Sequence, residues 1–305
     1  MSPEKSPAWY DEQYNNRARI PGHPAILAHW AAASAEALAT HTDMVEVAYG
    51  EDASERLDAF PARSSGNTAG APVLVYIHGG YWRALNKRDQ SFIAPPLSQA
   101  GAMVVVPEHA LCPAVTIDHI VKQMVQALAW TYRHAADYGG DPNRIVVAGH
   151  SAGGHLAAML LACDWKAVAP NLPADLVKAA LSVSGLYDLE PLRHAPFLAA
   201  DIDLTEASAR QLSPAFMPAP NGSLVSIVGG DESEEFHRQA AMIETAWGQN
   251  TVIENETVPG RNHMDVLHEL ADSASTTHAL ALELLGLRTR ASSQRVASSA
   301  GSGLA

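Results

Sequence analysis

Cysteine is almost missing from this 305-residue sequence, which contains only Cys112 and Cys163. One bridge at most can form and neither residue has metal-ligand spacing, so a disulfide scaffold and a cysteine–zinc site are excluded. Cys163 lies in the apolar run His155–Cys163, where a buried free thiol is expected. A reducing compartment, the cytoplasm, suits both residues. Basic residues are scarce too, with 20 Lys and Arg against 33 Asp and Glu and a formal net charge of −13. That balance repels phosphate backbones and anionic lipid, so neither nucleic acid nor a membrane surface is an expected partner. Long apolar runs are lacking: none approaches the roughly 18 residues of a membrane span. The opening residues Met1–Pro7 do not have the basic-then-apolar order of a signal peptide. With 47% hydrophobic and 17% charged residues, the chain reads as a globular protein whose core needs no staple.

The apolar residues that are present fall into a regular order. Val73–Ile77, Ala102–Val106, Arg144–Ala148, Ala179–Val183, Leu224–Val228 and Thr251–Val258 are short, largely β-branched runs. Runs without polar alternation suit strands buried on both faces, as in a parallel sheet. Met44–Ala48 and Leu57–Phe60 predict two more strands. Helical spacing is found at Pro24–Leu38, Asp89–Gln99, Thr116–Tyr138, Ser151–Cys163, Glu235–Trp247 and Met264–Leu285. The alternation predicts an α/β fold with helices on both faces of a mostly parallel sheet. Residues 1–287 are read as a single domain with an N-terminal arm over about residues 1–40. Residues 64–70 are a turn-rich connection, and 288–305 read as a disordered tail. The 186–220 segment far exceeds an ordinary connection of about 2–6 residues, and a small lid is expected there.

The strand Ile145–Ala148 runs directly into Gly149-His150-Ser151-Ala152-Gly153, which a helix follows. This G-x-S-x-G turn in its strand–helix setting marks Ser151 as a nucleophile raised to the sheet edge. A serine needs a base to take its proton, and in this architecture an acid and then a histidine follow in the chain. Among 14 histidines, His263 closes the loop Pro259–His263 after a predicted strand, whereas His268 and His278 are expected at the surface of the next helix. Asp231, just past the strand ending at Val228, is the expected acid, with Asp188 as runner-up. Glu232, Glu234 and Glu235 are assigned to the start of the following helix. Backbone donors for an oxyanion are expected from Ala152 and from Gly79, Gly80 and Tyr81, in His78-Gly79-Gly80-Tyr81-Trp82 after an early strand. His150 and His155 belong to the elbow and its helix, and no cluster has the spacing of a metal site.

Together these residues resemble the kynurenine formamidase (arylformamidase) branch of the α/β-hydrolase superfamily. The resemblance is carried by H-G-G-x-W at His78–Trp82, the elbow at Gly149–Gly153, and the positions Asp231 and His263. Tyr14–Ala18, Ala110–Pro113 and Gly185–Leu189 also match, so it spans about residue 10 to about residue 286. Tyr81 stands where related lipase-type esterases often carry a third glycine. The resemblance implies an α/β-hydrolase fold and a serine hydrolase with no metal and no cofactor. Its partner would be a small-molecule amide or ester, and a homodimer is compatible with it. For an aryl formamide, Tyr81 and Trp82 would line an aromatic slot, with Tyr14 and Arg17 of the arm beside it. A short-chain carboxylesterase is the alternative, and a non-catalytic ligand-binding protein of the same fold is the remote one.

Overall fold

The computed structural model describes residues 5–63 and 70–289. The connection at 64–69 and all but the first two residues of the expected tail lie outside them. Eight strands form one sheet: β1 (Val45–Ala48), β2 (Arg56–Phe60), β3 (Ala71–Ile77), β4 (Met103–Pro107), β5 (Gly140–His150), β6 (Val177–Val183), β7 (Ser223–Gly229) and β8 (Val252–Val258). Their order is β1-β2-β4-β3-β5-β6-β7-β8, antiparallel at the β1–β2–β4 edge and parallel from β4 to β8.

Residues of β3 alternate between two cores. Val73, Val75 and Ile77 face one apolar layer, and Leu74 and Tyr76 face the other. Burial on both faces is the reason these strands read as unbroken apolar runs. The N-terminal arm contributes α1 (Pro7–Tyr14), α2 (Asn16–Arg19) and α3 (His23–Thr40). Further along come α4 (Ala94–Gln99), α5 (Ile117–His134), α6 (Ala152–Leu161) and α7 (Trp165–Val168). The segment between β6 and β7 carries α8 (Pro196–Ile202) and α9 (Glu206–Gln211), and α10 (Glu234–Trp247) precedes β8.

The single helix expected over Met264–Leu285 is instead a 3-10 turn at Asp265–Leu267, then α11 (His268–Ala271) and α12 (Thr276–Leu284). The break falls at Asp272–Ser275, where Ser275 caps α12 by accepting from His278 N–H. That break turns both histidines inward, against expectation. His268 Nε2 accepts from Trp30 Nε1 at 2.9 Å, and His278 is buried with its Nδ1 at 2.9 Å from Leu270 O.

Chain order reverses beside β3: β4 lies on one side of it and β5 on the other. In an open α/β sheet, such a switch point opens a crevice at the carboxyl ends of the strands. Ile77 pairs with Gly149, His150 with Val183, and Gly229 with Val258. The loops after β3, β5, β6, β7 and β8 therefore leave the sheet at a common edge.

Burial leaves an acid-labile signature. His109, His150 and His155 are almost wholly enclosed, and burial pushes their imidazoles down to about 3, about 3 and about 4. In the unfolded chain each titrates near ~6.5, so between there and the folded value only the unfolded state takes the proton. Their contribution is thus complete above ~6.5 and is lost as pH falls toward the depressed values. Asp58 and Asp265, whose carboxyls burial raises, offset part of the loss. Each such histidine gives up about 2 kcal/mol between pH 6.5 and 5. Urea unfolding at pH 7.5 and 5.0 should show a clear net loss of stability in acid. Equal stabilities would mean that these imidazoles are not held neutral.

Candidate active site

The elbow after β5 is forced by sterics. A Cβ on Gly149 would stand 2.2 Å from Gly153 O, and one on Gly153 would stand 2.1 Å from Ile77 O. Neither position has room for a side chain. Between them Ser151 adopts φ 57° and ψ −116°, a strained conformation for an L residue, with its N–H donating to Val183 O at 2.8 Å. Its side chain is thereby presented at the N-terminus of α6.

His263 meets it from the loop after β8. Ser151 Oγ lies 2.9 Å from His263 Nε2, and His263 Nδ1 lies 2.6 Å from Glu232 Oε2. The carboxylate fixes the tautomer: Nδ1–H donates to Glu232, which leaves Nε2 free to accept the serine proton. The ring is packed 4.3 Å from Phe236 and 5.0 Å from His150. His150 Nε2 donates to His263 O at 2.7 Å, so the elbow also anchors the backbone of the histidine loop.

The carboxylate beside His263 is Glu232, and the expectation of Asp231 is corrected here. Gly230 N–H donates to Val258 O and Asp231 N–H to Arg261 O, a turn that leaves Asp231 exposed and carries Glu232 inward. The Glu232 side chain is wholly buried at that contact. Glu232 does not begin α10: Ser233 occupies the N-cap and the helix opens at Glu234. A serine directly before Glu234-Glu235 was the sequence signal that frees Glu232 from the helix. Asp188, the runner-up, instead pairs with Arg238 at 3.2 Å.

The loop after β3 reaches the other side of Ser151. Gly80, Tyr81 and Ser151 line a common cavity of about 370 Å³ with His150, His263, Phe197 and Arg17. Tyr81 and Trp82 both hold positive φ, 51° and 56°, so the loop is strained where it faces the nucleophile. Ala152 opens α6, and its N–H has no helical acceptor one turn back. Gly79 departs from expectation, because its N–H is directed to Gln90 Oε1 at 3.4 Å and it lies outside the cavity wall.

The four residues expected to contact substrate divide evenly. Tyr81 lines the cavity, packs edge-on against Phe197 and donates its hydroxyl to Tyr14 O at 2.6 Å. Arg17 lines the mouth, is exposed, and has no carboxylate partner among the described residues. Trp82 is fully buried behind the loop, edge-on to His155, because its positive φ turns the indole into the core. Tyr14 is also buried, and its hydroxyl donates to Glu235 Oε2 at 2.6 Å. Phe197 and Asp201 of α8 complete the wall. Arg83 ties them to the loop after β3 by donating to Phe197 O at 2.7 Å and by pairing with Asp201. Among the described residues no group of three His, Cys, Asp or Glu could hold a metal ion. No helix there is long and apolar enough to cross a membrane.

Comparison with known proteins decides the family. A kynurenine formamidase from Danio rerio is 30% identical over 251 residues, covering 80% of this chain and 82% of the fish protein. The chain belongs to the kynurenine formamidase family. A second kynurenine formamidase, from Salmo salar, is 29% identical over the same shares of both chains. The family model BD-FAE matches residues 58–201, a stretch that contains the loop after β3 and the elbow. Esterases are also similar: LipM of Mycobacterium tuberculosis, a probable carboxylic ester hydrolase, is 36% identical over 162 residues, 49% of this chain and 36% of LipM.

Solved structures agree on the architecture. A candidate thioesterase from Silicibacter sp. tm1040 superposes with a TM-score of 0.76 at 31% identity, covering 88% of this chain and 97% of that one. The esterase of Pyrobaculum calidifontis, at 17% identity, shares the fold with a TM-score of 0.66 over 87% and 93% of the two chains. Membership in the kynurenine formamidase family makes this chain a hydrolase of the α/β-hydrolase fold.

Proposed function

We propose that the chain is an arylformamidase acting on N-formyl-kynurenine-like amides, with Ser151, His263 and Glu232 as its triad. The Ser151–His263–Glu232 hydrogen-bond line opening into the 370 Å³ cavity carries this reading. His263 takes the Ser151 proton as Oγ attacks the formyl carbon. Negative charge then develops on the carbonyl oxygen, where the N–H groups of Gly80, Tyr81 and Ala152 would receive it. His263 returns the proton to the departing aryl nitrogen and the C–N bond breaks, leaving formyl-Ser151. Water, deprotonated by the same imidazole, releases formate. Glu232 keeps the imidazole oriented and stabilises its charged form.

The aromatic side chains Tyr81 and Phe197 in the cavity wall support a flat aromatic leaving group. Tyr81 and Phe197 meet edge to face, and Arg83 joins α8 to the oxyanion loop, so the wall nearest the nucleophile is braced. Arg17 at the mouth is the cation that a substrate carboxylate would meet.

Comparison of kcat/KM across formyl, acetyl, butyryl and octanoyl aryl substrates tests this. Formyl and acetyl substrates should exceed butyryl ones by at least about 30-fold, since acetyl and butyryl differ by two methylenes and each in a tight pocket is worth ~1–3 kcal/mol. N-formyl-kynurenine should rank first among the amides. Rates that rise steadily with acyl length would support the short-chain carboxylesterase reading instead.

A further inference from the structure

Glu232 is held from both sides. Its Oε2 faces His263, while Oε1 accepts from the Ser184 hydroxyl at 2.5 Å and from Gly229 N–H at 2.7 Å. Ser184 follows β6, is 2% exposed, and has its own N–H fixed to Ile227 O on β7 at 2.7 Å. It also holds φ 52°, a conformation that costs an ordinary side chain and that glycine adopts freely. The chain keeps a serine at this strained point, although Gly185 is the next residue. Strain of this kind persists where the surroundings over-determine it and is concentrated at functional sites. Asp265 and Tyr81 also feel the charge of Glu232, but neither hydrogen bonds to it.

We propose that Ser184 is a positioning residue, whose hydroxyl locks the Glu232 carboxylate so that Oε2 stays aimed at His263 Nδ1. The proposal rests on the reading of Glu232 as the triad acid. With the hydroxyl removed, only the Gly229 N–H holds Oε1, and the carboxylate can turn away from the imidazole. The loss should therefore fall on kcat and leave substrate binding alone.

Ser184→Ala and Ser184→Gly, each made in the wild-type protein and in Glu232→Gln, test this on an aryl acetate. In the wild-type background both should lower kcat by about 10- to 100-fold, the range for a hydrogen bond to a charged group. KM should move less than about twofold, because only an interaction made in the transition state is lost. Ser184→Gly should melt above Ser184→Ala because it relieves the strain, yet lose as much activity. In Glu232→Gln neither change should cost more than about twofold further, since coupled residues fail to add. Unchanged kcat, activity that tracks melting temperature, or a full second loss in Glu232→Gln would each overturn the positioning role. If Glu232→Gln alone keeps wild-type turnover, the acid assignment fails instead, and the proposal falls with it.

Discussion

Ser151→Ala should reduce turnover by about a millionfold, and His263→Ala by a similar factor. In the proposed triad Ser151 would supply the attacking oxygen, and the 2.9 Å contact to His263 Nε2 offers a route for its proton. Losing either half leaves no activated nucleophile. The residual rate would come from binding and from the oxyanion donors. Because the two act as one unit, the double variant should lose little beyond either single one. Steady-state assays of the three variants on an aryl acetate would show this. A tenth of wild-type activity in Ser151→Ala would exclude Ser151 as the nucleophile.

Glu232→Gln should cost about ten-thousand-fold in kcat, while Asp231→Asn should stay within about twofold. The amide keeps the size of the carboxylate, but it presents either an N–H or a neutral oxygen to His263 Nδ1. The first reverses the tautomer and the second forfeits stabilisation of the imidazolium. Asp231 is exposed, and His263 Nδ1 meets Glu232 instead, so its loss removes only a nearby surface charge. Parallel kcat measurements on the two variants suffice. A collapse in Asp231→Asn with activity retained in Glu232→Gln would reverse the assignment.

Much of the fold was legible because the central strands, β3 to β7, are largely buried on both faces. All eight predicted strands are present, with the start of β5 shifted by four residues and every other end by no more than two. The elbow was legible for a different reason. Gly149 and Gly153 sit against backbone oxygens at distances that admit no Cβ, so the local sequence has little freedom. The place of His263 after β8 brings it within 2.9 Å of Ser151 Oγ. The carboxylate beside His263 is one residue past the expected Asp231, and the cause is specific. Side-chain direction in the Gly229–Glu232 turn is set by contacts of Gly230 and Asp231 with Val258 and Arg261, which are distant in sequence. No periodicity within the turn encodes them.

The same limit explains the substrate contacts. Trp82 and Tyr14 were expected beside an aryl substrate from the resemblance, Trp82 through the motif after β3 and Tyr14 through the N-terminal arm. A positive φ at Trp82 and a hydrogen bond from Tyr14 to Glu235 turn both into the interior. Phe197 and Asp201 carried no motif and reach the cavity only through the packing of α8. The α12 break went unseen because Asp272–Ser275 was read as part of one helical repeat, whereas Ser275 starts a new helix as its cap.

Ser151 should form a covalent acyl intermediate within this triad. Mass spectrometry of the intact chain and of its peptides after brief exposure to a fluorophosphonate tests it most directly. One adduct per chain is predicted, on the peptide bearing Ser151, absent from Ser151→Ala and strongly slowed in Glu232→Gln. An adduct on any other residue, or substrate turnover by a chain that never labels at Ser151, would contradict it.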